Sequence, residues 1–272
     1  MNSSNGSIPA SGVTDDALAG VKAFLFDLDG TVTQDGRVPA SSLAAMELLQ
    51  AAGILTLAVT GRPAGWCDLI ARWWPVDAVI GENGAFCFAR RGDGRITRDW
   101  FCETSDDGRA RLTAIADDTL SLAPNLAHAA DNAWRACDIA VDFAEDVDGP
   151  TLDDAERVRA RFAEAGAIAK TSSIHVNAWF GDHDKKTTAC QVLATRFGIA
   201  EPDQAAQIAY IGDAPNDEPM FAAFPLSFGV AGVRRFLPVM TAHPAEIAKG
   251  DEAAGFAEIA NRLLAARKIR PA

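Results

Sequence analysis

From Val21 onward the chain alternates short apolar runs with amphipathic stretches. Val21 to Phe26 is mostly apolar, with a single Lys22, which predicts a short strand buried on both faces of a parallel sheet. After Val38-Pro39-Ala40-Ser41-Ser42, Leu43, Met46, Leu49 and Ala52 recur at helical spacing, and Gly53 suits a helix C-cap. The run ILTLAVT (54–60) reads as a second strand. Strand, helix and strand in that order predict a parallel pair with a right-handed crossover. Trp66, Leu69, Ile70, Trp73 and Trp74 follow at a spacing expected of a core-facing helix. Val76 to Ile80 reads as a third strand, and Gly81-Glu82-Asn83-Gly84-Ala85 as a turn.

The pattern changes between Ala85 and about Phe180. AFCFARR-GDG-RITRDWF predicts a hairpin, 106–122 a helix, 134–143 a strand, 151–165 a helix and 168–180 a further extended run. These elements predict a compact α+β insert of about 95 residues, within the usual size of a domain. Beyond it, TTACQVLATRFG predicts a helix closed by Gly198. QIAYIGDAPNDEPMF predicts strand, turn and helix, and LSFGVAGV (226–233) a last core strand. The Ser-, Asn- and Gly-rich residues 1–16 read as a disordered tail. The expected division is therefore a discontinuous core, 17–84 and 181–272, around an insert at 85–180.

Apolar residues make up 49% of the 272, enough for a sizeable core. The net charge of −12, with no Lys/Arg-rich run, argues against a nucleic-acid partner, because backbone phosphates need a basic footprint. No stretch approaches the length of a membrane span. The N-terminal segment has neither the basic nor the apolar part of a signal peptide. The five cysteines, Cys67, Cys87, Cys102, Cys137 and Cys190, are scattered without C-x-x-C, and so read as reduced thiols of a cytoplasmic protein. Oligomeric state is not legible.

The chemistry is concentrated where the first strand ends. Asp27 and Asp29 lie one residue apart, on one side of an extended chain, followed by the turn Gly30-Thr31. They fall where open α/β sheets bind ligands. Two close carboxylates repel unless a cation or a shared proton intervenes, so the pair suits Mg²⁺, and an Asp can also attack phosphorus. An ordinary Asp-Gly turn with solvated acids has the same composition. Thr60-Gly61-Arg62 ends the second strand, on the same rim; a hydroxyl and a Gly N–H there can hold a phosphate oxygen.

FDLDGT resembles the first motif of the haloacid dehalogenase-like (HAD) superfamily, mostly phosphatases with an aspartate nucleophile. Thr60 stands at the second motif. Lys185 or Lys186 stands at the third; Asp184-Lys185 favours Lys185, although Lys186 replaces the glycine that relatives carry. Gly212-Asp213-x-x-Asn216-Asp217 resembles the fourth motif. E-N-G-A (82–85) and the size and place of the insert resemble a type IIB cap. The resemblance implies a Rossmann-like α/β parallel-sheet core with an inserted α+β cap, and a Mg²⁺-dependent phosphatase acting on a small phosphorylated metabolite, most plausibly a sugar phosphate. It assigns Asp27 as nucleophile, Asp29 as acid–base and Lys185 as the cation that neutralises the nucleophile and the phosphate. Thr60, Gly61, Arg62 and Asn216 become phosphate or substrate ligands, Arg62 equally fitting a structural ion pair, and Asp27, Asp29, Asp213 and Asp217 the metal site, with Asp217 orienting Lys185 or a metal-bound water. A phosphomutase with the same residues, or a non-catalytic sugar-phosphate sensor, fits the same motifs. In the insert, Arg135, Asp138, His175, Asn177 and Trp179 offer polar and aromatic faces suited to a sugar.

Overall fold

A computed structural model of the chain describes residues 12–102 and 106–269. Its elements run α1 (Asp15–Ala19), β1 (Ala23–Phe26), α2 (Ala40–Ala51), β2 (Leu55–Val59), α3 (Ala64–Trp73), β3 (Ala78–Gly81), β4 (Phe86–Arg90) and β5 (Ile96–Trp100). They continue with α4 (Asp106–Ser121), β6 (Ala127–His128), β7 (Ile139–Asp142), α5 (Leu152–Glu164), β8 (Ile168–Thr171) and β9 (His175–Trp179). The chain closes with α6 (Lys185–Phe197), α7 (Gln204–Gln207), β10 (Ile208–Gly212), α8 (Glu218–Ala223), β11 (Leu226–Gly229), β12 (Glu246–Ile247) and α9 (Glu252–Ile269).

The larger sheet has the order β12-β11-β10-β1-β2-β3-β4-β5, parallel from β12 to β3 and antiparallel thereafter. Alternation along β1 explains its central place. Phe24 and Phe26 pack with Phe256 of α9 on one face, while Ala23 and Leu25 join Val192 and Leu193 of α6 on the other. Both faces are covered, as a parallel sheet requires. β2 and β10 flank β1 on opposite sides, with Phe26 level with Ala58 and Ile211. The carboxyl ends of β1, β2 and β10 therefore meet at a topological switch point.

The second sheet, β6-β7-β9-β8, is antiparallel. One face buries Val141, Ala169, Val176 and Ala178 against Leu112, Val158 and Phe162 of α4 and α5. By the same alternation His175, Asn177 and Trp179 of β9 share the opposite face, which lies against the rim of the larger sheet.

Several expectations are corrected. The β4–β5 hairpin does not belong to the insert; it pairs with β3 and extends the larger sheet. Phe86 and Phe88 enter one core and Cys87 and Ala89 the other, a two-faced burial that a hairpin signal cannot assign to a sheet. The strand expected at 134–143 is confined to β7, because Ala130–Trp134 forms a 3₁₀ turn and the N–H groups of Ala136, Cys137 and Asp138 are taken by the Glu82 carboxylate. Trp66, Leu69 and Trp73 face outward; Trp73 is 78% exposed. Of the expected tail, residues 1–11 lie outside the described residues. Residues 12–16 are ordered by packing onto the core: Thr14 caps α1, and Val13 N donates to Glu246 Oε2 (3.1 Å).

Nor are all five cysteines free. Cys102 and Cys137 are disulfide-bonded, 35 residues apart, where the end of β5 meets the segment leading to β7. A pairing made by the fold leaves no local spacing to read, and the cysteines no longer argue for a reducing compartment. Among the described residues no helix is long and apolar enough to cross a membrane.

Candidate active site

Asp27 follows β1 directly, its N–H still donating to Ile211 O of β10 (3.0 Å). Lys185 Nζ lies between two carboxylates, donating to Asp27 Oδ1 (2.8 Å) and Asp217 Oδ1 (2.7 Å). Lys185 is the first residue of α6, where the helix dipole disfavours a cation, yet it is 2% exposed. Burial works against its charge, but Asp217 and Asp27 hold the ammonium well above the usual lysine range. Lys186, the other candidate, is only partly buried.

Asp217 is fully engaged. Its Oδ1 also accepts from Tyr210 Oη (2.6 Å), and its Oδ2 accepts from the N–H groups of Asp213 (2.9 Å) and Ala214 (3.2 Å). It thus shapes the loop after β10 and aims Lys185. Asp213 differs: it is buried, and its Oδ1 has no partner. Burial, with Asp27 and Asp217 nearby, pushes Asp213 well above the usual carboxylate range. Burial pushes Asp27 up to about 7, against the pull of Lys185 and with a further push from Asp217. A Cβ at Gly30, whose φ is +69°, would collide with the Asp213 carboxylate, so only glycine lets these loops close together.

Asp27, Asp213 and Asp217 offer oxygens within 4.8 Å of one another. The unpartnered Asp213 oxygen, beside the raised carboxyl of Asp27, fits a hard cation. Both oxygens of Asp217 already accept hydrogen bonds, including one from Lys185, in keeping with the expected role of orienting that lysine.

Thr60 and Gly61 end β2 on the same rim. Thr60 Oγ1 accepts from Arg62 N (3.0 Å), and Thr60 O from Asn83 N (3.0 Å). Asn83 was not singled out from the sequence. It is 2% exposed, holds a φ of 54°, and has neither side-chain polar atom partnered. A Cβ at Gly61 would lie 3.3 Å from its Nδ2. The only sequence signal for Asn83 is its type: Asn tolerates the left-handed region where other side chains are strained.

Asn83, Lys185, Asn216 and His183 line a cavity of about 170 Å³, closed from the second sheet by Lys170 and Trp179. Asn216 Oδ1 and His183 Nε2 are buried and unpartnered. Burial lowers His183 below its usual value, against Glu82 and Asp182. The Trp179 ring stacks on His183 at 5.6 Å, and its Nε1 donates to His183 O (3.1 Å). Ser173, in the β8–β9 turn, has a buried, unpartnered Oγ beside Gly30, so the insert reaches the rim there too.

Next to this cavity lies a second charged group. Arg62 Nε and Nη2 grip Asp29 Oδ2 (2.8 Å) and Oδ1 (2.7 Å). Its Nη1 and Nη2 also reach Asp131 (3.3 Å) and both oxygens of Glu145 (3.2 and 2.5 Å). Arg62 is therefore held by three carboxylates, and the structure does not leave it free as the expected substrate ligand. Arg135 is likewise engaged by Asp131 and Asp138, and it donates to Gly61 O (2.9 Å). Asp138 accepts from Asn177 Nδ2 (3.0 Å), and His175 Nε2 lies 2.8 Å from Glu145. Of the five insert residues expected to contact a sugar, Trp179 alone lines the cavity.

Residues 24–99 match the sequence pattern of a family described as haloacid dehalogenase-like hydrolase. No curated protein matches the chain. Protein 0175 of Thermoplasma acidophilum superposes with a TM-score of 0.65 at 17% identity, over 89% of this chain and 98% of its own. BT4131, a sugar phosphatase of HAD subclass IIB, superposes at 0.57 with 15% identity, over 84% and 93%. The sucrose-phosphatase of Synechocystis sp. PCC6803, solved with sucrose and phosphate, superposes at 0.58 with 16% identity, over 90% and 98%. The family pattern thus covers residues 24–99, and the superpositions show that the whole chain shares the fold of these proteins.

Proposed function

We propose that the chain is a Mg²⁺-dependent phosphatase that hydrolyses a small phosphomonoester, a sugar phosphate in the first instance, through an aspartyl-phosphate. The reading rests above all on the arrangement of Asp27, Lys185 and Asp217 beside the unpartnered oxygen of Asp213. We further propose that residues 12–102 and 181–269 form the catalytic core and that the insert between them covers it.

In the first step an Asp27 oxygen attacks phosphorus. The bond from phosphorus to the leaving oxygen breaks, and Asp29 gives that oxygen a proton. In the second step Asp29 takes a proton from water. The water oxygen bonds to phosphorus, the Asp27–phosphorus ester bond breaks, and inorganic phosphate leaves. Lys185, Thr60, Gly61 and Asn216 surround the equatorial oxygens, where transition-state charge is spread. Asp27, Asp213 and the Asp29 carbonyl would hold Mg²⁺, which when bound offsets the charge of the phosphate against these carboxylates.

The sugar reading draws on the cavity, whose unpartnered Asn83, Asn216 and His183 offer both donors and acceptors. Its fit is also suggested by the substrates named for BT4131 and for the Synechocystis enzyme. The test is release of inorganic phosphate from a panel of phosphorylated metabolites with and without Mg²⁺. Turnover that EDTA removes and Mg²⁺ restores is expected, together with a Mg²⁺-dependent rise in melting temperature that Asp213→Asn removes. No phosphate release from any ester would overturn the reading.

A further inference from the structure

The proposed reaction makes a geometric demand on Asp29 that the core alone does not meet. The same carboxyl must reach the leaving oxygen in one step and a water in the next, so its orientation must be held. The orientation comes from Arg62, whose planar fork takes both Asp29 oxygens and so fixes the plane of the carboxylate.

Arg62 is in turn held from within the core and from outside it. Its backbone is tied to Thr60 Oγ1 and one face of the guanidinium lies 4.4 Å over the Trp66 ring. The edge away from Asp29 is taken by Asp131 and, on two nitrogens, by Glu145. Both belong to the insert. Glu145 stands in a loop shaped for presentation. The Asp142 carboxylate, at the end of β7, accepts from the N–H groups of Ala144 (3.0 Å), Glu145 (2.8 Å) and Asp146 (2.8 Å). His175 of β9 lies 2.8 Å from Glu145 Oε2, the oxygen that Arg62 Nη1 also reaches. Although burial opposes it, contact with His175 and Arg62 holds the Glu145 carboxyl down at about 2, so it remains an anion wherever the enzyme works.

We infer that Glu145 is a positioning residue for the acid–base group. Through Arg62 it sets the orientation of Asp29, so the insert completes the proton-transfer machinery as well as covering the substrate. This inference rests on the phosphatase reading above. It extends that reading by giving a loop with no chemistry of its own a measurable effect on proton transfer.

Proton donation matters most when the leaving oxygen is basic, which separates positioning from simple adhesion. The experiment measures kcat/KM for a series of aryl phosphates, from phenyl phosphate to p-nitrophenyl phosphate. That parameter stops at the first irreversible step and is blind to hydrolysis of the intermediate. General acid–base catalysis contributes roughly 10²–10⁴-fold, and Asp29→Asn sets the scale. Glu145→Gln is expected to lower kcat/KM on phenyl phosphate by roughly 30- to 100-fold, and by about tenfold less on p-nitrophenyl phosphate. The dependence on leaving-group basicity therefore steepens. Arg62→Lys, which keeps the charge but loses the fork, should steepen it in the same way and serves if Glu145→Gln does not fold. Equal losses on every ester, or none, would overturn the inference while leaving the phosphatase standing. Absence of turnover by the unaltered chain would instead overturn the phosphatase reading, and the inference with it.

Discussion

Two charged clusters sit side by side over the ends of β1 and β2, and their hydrogen bonding differs. Around Asp27, buried polar atoms are left without partners: Asp213 Oδ1, Asn216 Oδ1 and both side-chain atoms of Asn83. Around Arg62 and Arg135, the charges are closed on one another across the core and the insert. Leaving a buried polar group unpaired costs stability, so a cluster of them marks a place where a ligand completes the bonding. A closed buried network is a means of holding geometry, and breaking one member exposes the charge of the others. Burial alone would not have told these clusters apart.

The largest expected effect is on the open cluster. Asp27→Asn should lower turnover by roughly 10⁴-fold or more, as loss of a nucleophile does, with the melting transition retained. Appreciable activity in a preparation free of deamidated protein would show that the open atoms do not mark the reacting centre.

Next comes the closed cluster. Arg135→Ala removes the cation that Asp131 and Asp138 share and should cost about 3–5 kcal/mol in denaturant unfolding. What remains folded should lose activity alike on all substrates. A stable variant with altered substrate preference would return Arg135 to the substrate site.

A smaller change, to the open cluster, should have the opposite character. Asn83→Gly fits the positive φ and removes two unpartnered atoms, so stability should move by no more than about 0.5 kcal/mol. Loss of one contact to a bound ester should nevertheless lower kcat/KM by roughly fivefold, about 1 kcal/mol. A large loss of stability with unchanged kinetics would make Asn83 structural.

A further effect is in pH. The folded Glu145 carboxyl, at about 2, lies below its ordinary 4.5, so its contribution is complete above about 4.5 and is lost as pH falls toward 2. The stability difference between the unaltered chain and Glu145→Gln should therefore shrink between pH 5 and pH 3, read from unfolding curves. A difference that grew on acidification would mean Glu145 is not held as an anion.

Much of the core was legible in the sequence because its signals are local. Apolar runs give β1, β2 and β3, helical spacing gives α2, and Asp27 and Asp213 announce themselves by standing just past strands. Lys185 was readable as one of two candidates, and only the fold shows which of them points between Asp27 and Asp217. The insert was less legible for a physical reason. Arg135, Asp138 and Asn177 are polar strand or loop residues, and nothing in their spacing tells a sugar contact from an ion pair made across layers. The β4–β5 hairpin has a proper hairpin sequence, but the choice of sheet depends on the open edge of β3. Cys102 and Cys137, like Arg62 and Glu145, are partnered by tertiary closure alone.

One attachment between the layers carries a different kind of information. Glu82, fully buried at the end of β3, accepts through Oε1 from the N–H groups of Ala64 (2.9 Å) and Ala136 (2.8 Å), and through Oε2 from those of Cys137 (2.6 Å) and Asp138 (3.1 Å). The insert is thus received by its main chain, and every amino acid but proline presents the same group there. Such a socket is blind to side chains. A lineage could rewrite the surface of its insert, or exchange it for another of like backbone course, without renegotiating how it is moored.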